Sequence, residues 1–119
     1  MASGGYSQIS VAESGRLAFL SGQVAWRPGV EGAPKDLAGQ AKVATASLAA
    51  ALKELEATSQ DIVMLRVYVV DATTEAFQQV TTALSELVRD AMPSITTIGV
   101  QALYTPEIKV EIEMVVRVP

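Results

Sequence analysis

Histidine and cysteine are both absent from this chain of 119 residues. Without cysteine there are no disulfides, no thiolate nucleophile and no zinc–sulfur site. Without histidine there is no Ser-His-Asp or Cys-His arrangement, and the commonest metal ligand is missing. Any acid–base chemistry therefore falls to Glu, Asp, Lys or Tyr, and we expect neither a metal nor a cofactor.

Aromatic side chains are scarce, at 5% of the residues, whereas hydrophobic residues make up 50%. The core must therefore consist mainly of Val, Ile, Leu and Ala. A chain of this length predicts a single domain over residues 1–119. One small core has difficulty hiding so much aliphatic surface, so we expect a homo-oligomer.

Clustered positive charge and long apolar runs are also missing. Nine Lys and Arg residues stand against 13 Asp and Glu, for a net charge of -4. Nucleic acid is not an expected partner, because phosphate neutralisation needs clustered cations. No apolar run approaches the roughly 20 residues of a membrane span, and residues 1–5 lack the features of a signal peptide. We therefore expect no membrane partner and a cytoplasmic location.

Hydrophobic periodicity predicts five strands and two helices. Helix-linked strands usually pair in parallel and turn-linked strands antiparallel, which indicates a mixed sheet. Both helices should lie on one face, and a neighbouring subunit should cover the other. The predicted elements are strands at 6–12 and 17–24 joined by a hairpin turn, a helix capped by Asp36 and running to about Ala57, a buried strand at Ile62–Val70, a helix capped by Thr73 or Thr74 and stopped by Pro93, and two strands after Pro93.

The last strand alternates apolar residues with two carboxylates. Residues 110, 112, 114, 116 and 118 point one way, and Glu111 and Glu113 point the other. A carboxylate in such a strand is either solvated or ion-paired, or it lies in a cleft. Arg66 interrupts an otherwise apolar strand, where an unpaired charge is costly, so we expect a structural ion pair. Glu113 is the expected partner of Arg66 or Arg117.

Several short stretches, taken together, resemble the reactive-intermediate deaminase family, also called Rid or YjgF-like and once described as L-PSP endoribonucleases. The resemblance covers nearly the whole chain, and a Ser-Gly-Gln strand combined with a Glu-Ile-Glu strand is its most specific part. The matching stretches are Tyr6, residues 19–23, residues 36–41, residues 61–63, residues 67–69 with Asp71, Phe77, Pro93 with Ser94, and residues 109–113.

The resemblance implies an α+β, chorismate-mutase-like fold, in which a mixed six-stranded sheet carries two helices on one face. It also implies a homotrimer with a small-molecule cleft at each subunit interface. In the deaminating branch of the family, that cleft hydrolyses a 2-imino or enamino acid to a 2-oxo acid and ammonia. A glutamate positions or activates water there, and an arginine grips the substrate carboxylate.

Carried over by position, the resemblance makes Glu111 the catalytic residue and Tyr6, Ser21 and Gly22 parts of the cleft lining. Thr81 occupies the position at which the family has an asparagine in the second helix. Ile95 occupies the position at which the family has the arginine. An arginine fork makes two charge-assisted hydrogen bonds to a carboxylate, and isoleucine makes none.

The missing arginine leaves several alternatives. Another cation can replace it, and the candidates are Arg66, Lys109, Arg117 and Arg27. The substrate can lack the carboxylate, or the chain can be a non-catalytic binding or interaction trimer. Each site residue also has a plain structural interpretation: Tyr6 as a packing residue, Ser21 and Gly22 as a strand end, Ile95 as an apolar wall.

Overall fold

The strand β2, Ile62–Val70, lies in the interior of the sheet of this computed structural model, which describes residues 5–26 and 31–119. Its side chains at Leu65, Val67 and Val69 are fully buried, as its apolar β-branched sequence predicts. The remaining strands are β1 (Arg16–Gln23), β3 (Ser94–Val100) and β4 (Val110–Val118). They lie in the order β1-β4-β2-β3.

The sheet has four strands within the described residues, so the expected number of six is wrong. β2 and β3 pair in parallel across the helix between them, as predicted. β4 is antiparallel to both β1 and β2 and separates them. Two expectations therefore fail: β3 and β4 are adjacent in sequence but not in the sheet, and β1 does not pair with β2. Because β4 lies in the interior of the sheet, beneath the helices, one whole face of its side chains is buried.

The predicted strand at 6–12 is also wrong, and with it the hairpin to β1. This segment instead crosses the start of β2 and β3 through serine contacts. The Ser7 amide donates to the Pro93 carbonyl at 2.8 Å, and the Ser7 hydroxyl donates to the Met92 carbonyl. The Ser10 hydroxyl lies 2.7 Å from the carbonyl oxygen of Val63. Serine side chains thus supply hydrogen bonds that a strand would have taken from a ladder.

The first helix, α1, spans Leu37–Glu54 and begins at the predicted cap, where the Asp36 carboxylate accepts from the Gly39 amide. It ends three residues before the predicted Ala57. Glu56 adopts a φ of 56° there, and the Ala57 amide donates to the Leu52 carbonyl at 2.8 Å. This is the Schellman arrangement that closes many helices.

The second helix, α2, spans Thr74–Val88 and is capped by Thr73, whose hydroxyl accepts from the Ala76 amide at 3.0 Å. We expected Pro93 to stop this helix, but it ends five residues earlier. A turn at Arg89 ends it, with a φ of 56° and a ψ of -123°. The turn redirects the chain towards β3 and sets the position of the residues that follow α2.

Both helices pack on one face of the sheet, as expected, and form a single aliphatic core with it. The alternation predicted for β4 is confirmed, since Val110, Ile112, Met114 and Val116 are buried. The opposite face, which we call the open face, carries apolar side chains at Leu17, Phe19 and Ile98. Phe19 is 74% exposed, so nothing in residues 5–26 and 31–119 covers the centre of that patch. In the described parts of the chain, no helix is both long and apolar enough to span a bilayer.

Candidate functional site

Tyr6, Thr81 and Ile95 line one cavity of about 320 Å³ between α2 and the edge strand β3. Each comes from a different element. The serine contacts of the N-terminal segment place Tyr6 at the mouth, Thr81 lies midway along α2, and Ile95 lies in β3 beside Leu65. The other lining residues are Gly5, Leu84, Ser85, Val88, Arg89 and Thr97. A cavity of this size suits a small metabolite.

The polar groups on the α2 wall are partly committed to the helix itself. The Thr81 hydroxyl donates to the Phe77 carbonyl at 2.8 Å, and the Ser85 hydroxyl donates to the Thr82 carbonyl at 2.7 Å. Each hydroxyl has then used its only proton and retains acceptor capacity. Ile95, Leu84 and Val88 supply the apolar part of the wall, which favours a ligand with an aliphatic portion.

Glu111 and Gly22 meet at the other side of the sheet. A β-carbon added to Gly22 would lie 2.1 Å from Oε2 of Glu111 and 2.6 Å from its Cγ. The carboxylate therefore lies directly across the glycine, and only a residue without a side chain leaves room for it. Ser21 is exposed beside this contact, and its carbonyl accepts from the Gln23 side-chain amide at 2.9 Å. Among residues 5–26 and 31–119, no Lys or Arg forms a salt bridge with Glu111.

The six predicted site residues thus form two separate groups, Glu111 with Ser21 and Gly22, and Ile95 with Tyr6 and Thr81. Ser21 and Gly22 are in edge strand β1, and Ile95 is in edge strand β3. Glu111 is in the interior strand β4, two strand intervals or roughly 10 Å from β3, and it lies on the opposite face of the sheet from Ile95. A single chain does not bring Glu111 into the cavity lined by Ile95.

Glu113, the second carboxylate of β4, has a structural partner, as predicted. Its Oε1 lies 3.6 Å from Nη1 of Arg66 and accepts a hydrogen bond from the Tyr68 hydroxyl at 2.5 Å. That hydrogen bond raises the pKa of Tyr68, and partial burial and the negative charge of Glu113 raise it further. Glu113 is therefore held in a network on the open face, whereas Glu111 is left available to a ligand.

Of the proposed replacement cations, the three that the structure describes do not line the cavity at Ile95. Arg66 pairs with Glu113, and Arg117 lies 3.7 Å from Asp61. Lys109 lines a different cavity of about 500 Å³ beside Trp26, and its backbone amide donates to the Gln40 side chain at 2.8 Å. Arg27 lies outside the described residues.

Among the described residues, the cation that lines this cavity is Arg89, which was not among the residues predicted from the sequence. The sequence predicts that α2 continues to Pro93, so a turn at Arg89 is not expected. Hydrophobic periodicity does not indicate such a turn. A signal was nevertheless available. Thr81, Ser85 and Arg89 follow one another at intervals of four, the spacing of side chains along one helix face.

The comparisons with known proteins agree with this fold. The family model described as Endoribonuclease L-PSP matches residues 1–118. The chain belongs to this family. A solved Rid-family protein of unknown function from Yersinia pestis is 34% identical over 97% of this chain and 88% of its own, with a TM-score of 0.85. No match to a functionally curated protein was found.

Two other solved structures are less similar in sequence. A member of the YjgF/YER057c/UK114 family from Mycobacterium tuberculosis is 26% identical over 89% of this chain and 82% of its own, with a TM-score of 0.71. A putative endoribonuclease from Klebsiella pneumoniae is 16% identical over 90% of this chain and 96% of its own, with a TM-score of 0.75. At that identity the likeness concerns the fold alone. Within the described residues, no three Asp or Glu side chains are grouped closely enough to hold a metal ion.

Proposed function

We propose that this Rid-family chain forms a homotrimer whose interface clefts bind a small imine or enamine and hydrolyse it. The observation that carries the proposal is the division of the site. A lined cavity lies at the β3 edge of the sheet, and the Gly22–Glu111 contact lies at the β1 side. Each half is incomplete, and a neighbouring copy can supply the other half.

The two halves meet if the β1 side of one subunit faces the β3 edge of the next. Such a contact joins two different surfaces, so it repeats around a ring and closes when the rotation per subunit is suitable. A ring of three also gives the apolar open face, centred on Phe19, a partner of matching chemistry. The assembly therefore covers exposed apolar surface and completes the site in one arrangement.

In the completed cleft, Glu111 positions water and accepts one of its protons as the water oxygen bonds to the imine carbon. The π-electron pair moves to nitrogen, which takes up a proton, and a carbinolamine forms. Glu111 then transfers the hydroxyl proton of the carbinolamine to nitrogen. The C–N bond breaks, ammonia leaves with the electron pair of that bond, and the electron pair left on oxygen forms the carbonyl. General acid–base assistance of this kind contributes typically 10²–10⁴-fold to a rate. Ser21, Gly22, Tyr6 and Thr81 line the cleft around the reacting atoms.

The test is ammonia release from a short 2-imino acid generated in the assay, measured for the wild type, Ile95→Arg and Glu111→Gln. We expect turnover by the wild type and loss of most of it in Glu111→Gln. If only Ile95→Arg is active, the cleft chemistry is intact but the substrate of the wild type lacks a carboxylate. If none of the three releases ammonia above the uncatalysed rate, the hydrolase proposal is refuted.

A second candidate is a non-catalytic trimer that binds a small molecule in the same cleft. The apolar Ile95 at the family's arginine position favours this candidate, because an isoleucine side chain cannot pair with the charged group of a substrate. A compound screened by thermal shift raises Tm when it binds the folded state. A compound that raises Tm but is not turned over would support this candidate over the hydrolase.

A further inference from the structure

We propose that Arg89 anchors the carboxylate of the ligand in the cavity lined by Tyr6, Thr81 and Ile95. The anchor has moved from strand β3, where Ile95 stands, to the end of α2. This inference rests on the proposed function, because it names the charged group by which that cleft recognises its substrate class. The class is then a short 2-imino or 2-oxo acid with an aliphatic side chain that contacts Ile95.

The position of Arg89 fits this role. It lines the same cavity as Tyr6, Thr81 and Ile95, one residue beyond the end of α2. Over the described ranges 5–26 and 31–119, no carboxylate lies within salt-bridge distance of its guanidinium. The nearest acidic residues in sequence are Glu86 and Asp90. Glu86 lines a second cavity that Arg89 also borders, without forming a salt bridge with it, and Asp90 accepts from the Gln60 side chain at 3.2 Å. The guanidinium is therefore free of a structural ion pair and available to an anion.

The backbone supplies an independent observation. Arg89 has a φ of 56° and a ψ of -123°, and the Ala91 amide donates to the Val88 carbonyl at 3.0 Å. These are the features of a type II′ turn with Arg89 at its first central position, where glycine is strongly preferred. Non-glycine residues at strained backbone angles cluster at ligand-binding sites, although Glu56 and Asp71 also adopt a positive φ elsewhere in this chain.

A plainer role for Arg89 is to stabilise the carbonyl end of α2, where a positive charge is favourable. That role needs a cation near the last turn but no particular backbone angle, and it involves no ligand. The two roles differ in one measurable respect. If Arg89 serves only the helix end, replacing it lowers the stability of the protein and leaves anion binding unchanged.

The experiment compares binding of pyruvate with binding of its neutral amide, pyruvamide, by calorimetry on the full chain. We expect the wild type to prefer pyruvate by at least about 10-fold, the factor expected from a charge-assisted hydrogen bond. Arg89→Gly should remove that preference and raise Tm by roughly 2–6 °C, because glycine relieves the turn. Arg89→Asn, which also tolerates a positive φ, is a second test of the same prediction.

Two matched controls separate the effects of charge and backbone. Glu56→Gly relieves a φ of 56° at the end of α1, away from the cavity, and should raise Tm without changing pyruvate binding. Lys53→Gln removes one positive charge from the last turn of α1 and should leave the preference for pyruvate intact. In Arg89→Gly, adding Ile95→Arg should restore the preference from the other wall.

The inference is overturned if the wild type binds both compounds equally, or if Arg89→Gly and Arg89→Asn keep the preference for pyruvate. A lower Tm with unchanged binding assigns Arg89 to the helix end alone. Failure of the proposed function looks different. A protein that prefers pyruvate through Arg89 but releases no ammonia retains the anchor and refutes only the hydrolysis.

Discussion

Replacing Gly22 with alanine should displace the Glu111 carboxylate while leaving the fold intact. The new β-carbon would lie 2.1 Å from Oε2, 2.5 Å from Cδ and 2.6 Å from Cγ of Glu111. Comfortable contacts begin at roughly 3.5 Å, so the carboxylate must move by about 1.4 Å. All three atoms belong to one flexible side chain, which can rotate away without moving the strand.

The two consequences differ in size. An unfavourable rotamer of Glu111 costs of order 0.5–1.5 kcal/mol, and replacing a strand glycine by alanine recovers part of it. The free energy of unfolding should therefore fall by less than about 1 kcal/mol. A displacement of 1 Å in a catalytic group can lower a rate by about 100-fold. We expect ammonia release to fall by about that factor.

A double-mutant cycle with Glu111→Ala isolates the cause, because the contact no longer exists once the carboxylate is removed. In the Glu111→Ala background, Gly22→Ala should change ammonia release and Tm very little. A 100-fold effect that vanishes in this way corresponds to a coupling energy of about 2.7 kcal/mol. Full activity of Gly22→Ala alone would refute the argument that Glu111 must lie across the glycine. An equal loss in both backgrounds would mean that alanine acts through the backbone of β1.

Three further predictions concern the network, the core and the open face. Tyr68→Phe should lower the free energy of unfolding by about 1 kcal/mol at neutral pH. Because the hydrogen bond to Glu113 raises the pKa of Tyr68 above its ordinary 10.0, that difference should persist below pH 10 and shrink as the pH rises through the raised pKa. Gln40→Leu should cost about 2–4 kcal/mol in urea denaturation, because the buried amide contacts the Pro34 and Glu107 carbonyls and the Lys109 amide. Phe19→Glu should convert the proposed trimer to monomers in sedimentation velocity, since it places a charge in the apolar patch of the open face.

Surface variants provide the controls for these three measurements. Tyr104 is 87% exposed, so Tyr104→Phe should not reproduce the pH dependence of Tyr68→Phe. Gln79 is exposed on α2, where Gln79→Leu should leave stability nearly unchanged and Gln79→Glu should leave the assembly intact. A trimer that survives Phe19→Glu would contradict the proposed role of the open face. A stable Gln40→Leu protein would mean that solvent reaches the three partners of the Gln40 amide.

The amino-acid sequence alone determined the features that depend on local chemistry. Asp36 marks the start of α1, Ile62–Val70 is a strand over the predicted range, and the alternation at 110–118 separates a buried face from one bearing Glu111 and Glu113. Periodicity and capping involve only a few neighbouring residues, so they can be recognised in the sequence without knowing the fold. The pairing of Arg66 with a carboxylate was also predicted, but the cost of a buried charge is not its reason, because 52% of the Arg66 side chain is exposed.

Only the tertiary structure decided which strands are neighbours and where the site residues meet. A strand sequence shows which face is apolar but not which strand lies at either edge of the sheet. The position of β4 between β1 and β2 therefore could not be predicted from the sequence. The 6–12 segment has a strand-like pattern, yet Ser7 and Ser10 find partners at the start of the sheet instead. The contact between Gly22 and Glu111, and the turn that brings Arg89 to the cavity of Ile95, likewise depend on residues that are distant in the chain or on one backbone angle. Local sequence patterns carry no information on the contact between Gly22 and Glu111, which arises only when the core has packed, and for Arg89 they carry only its spacing from Thr81 and Ser85.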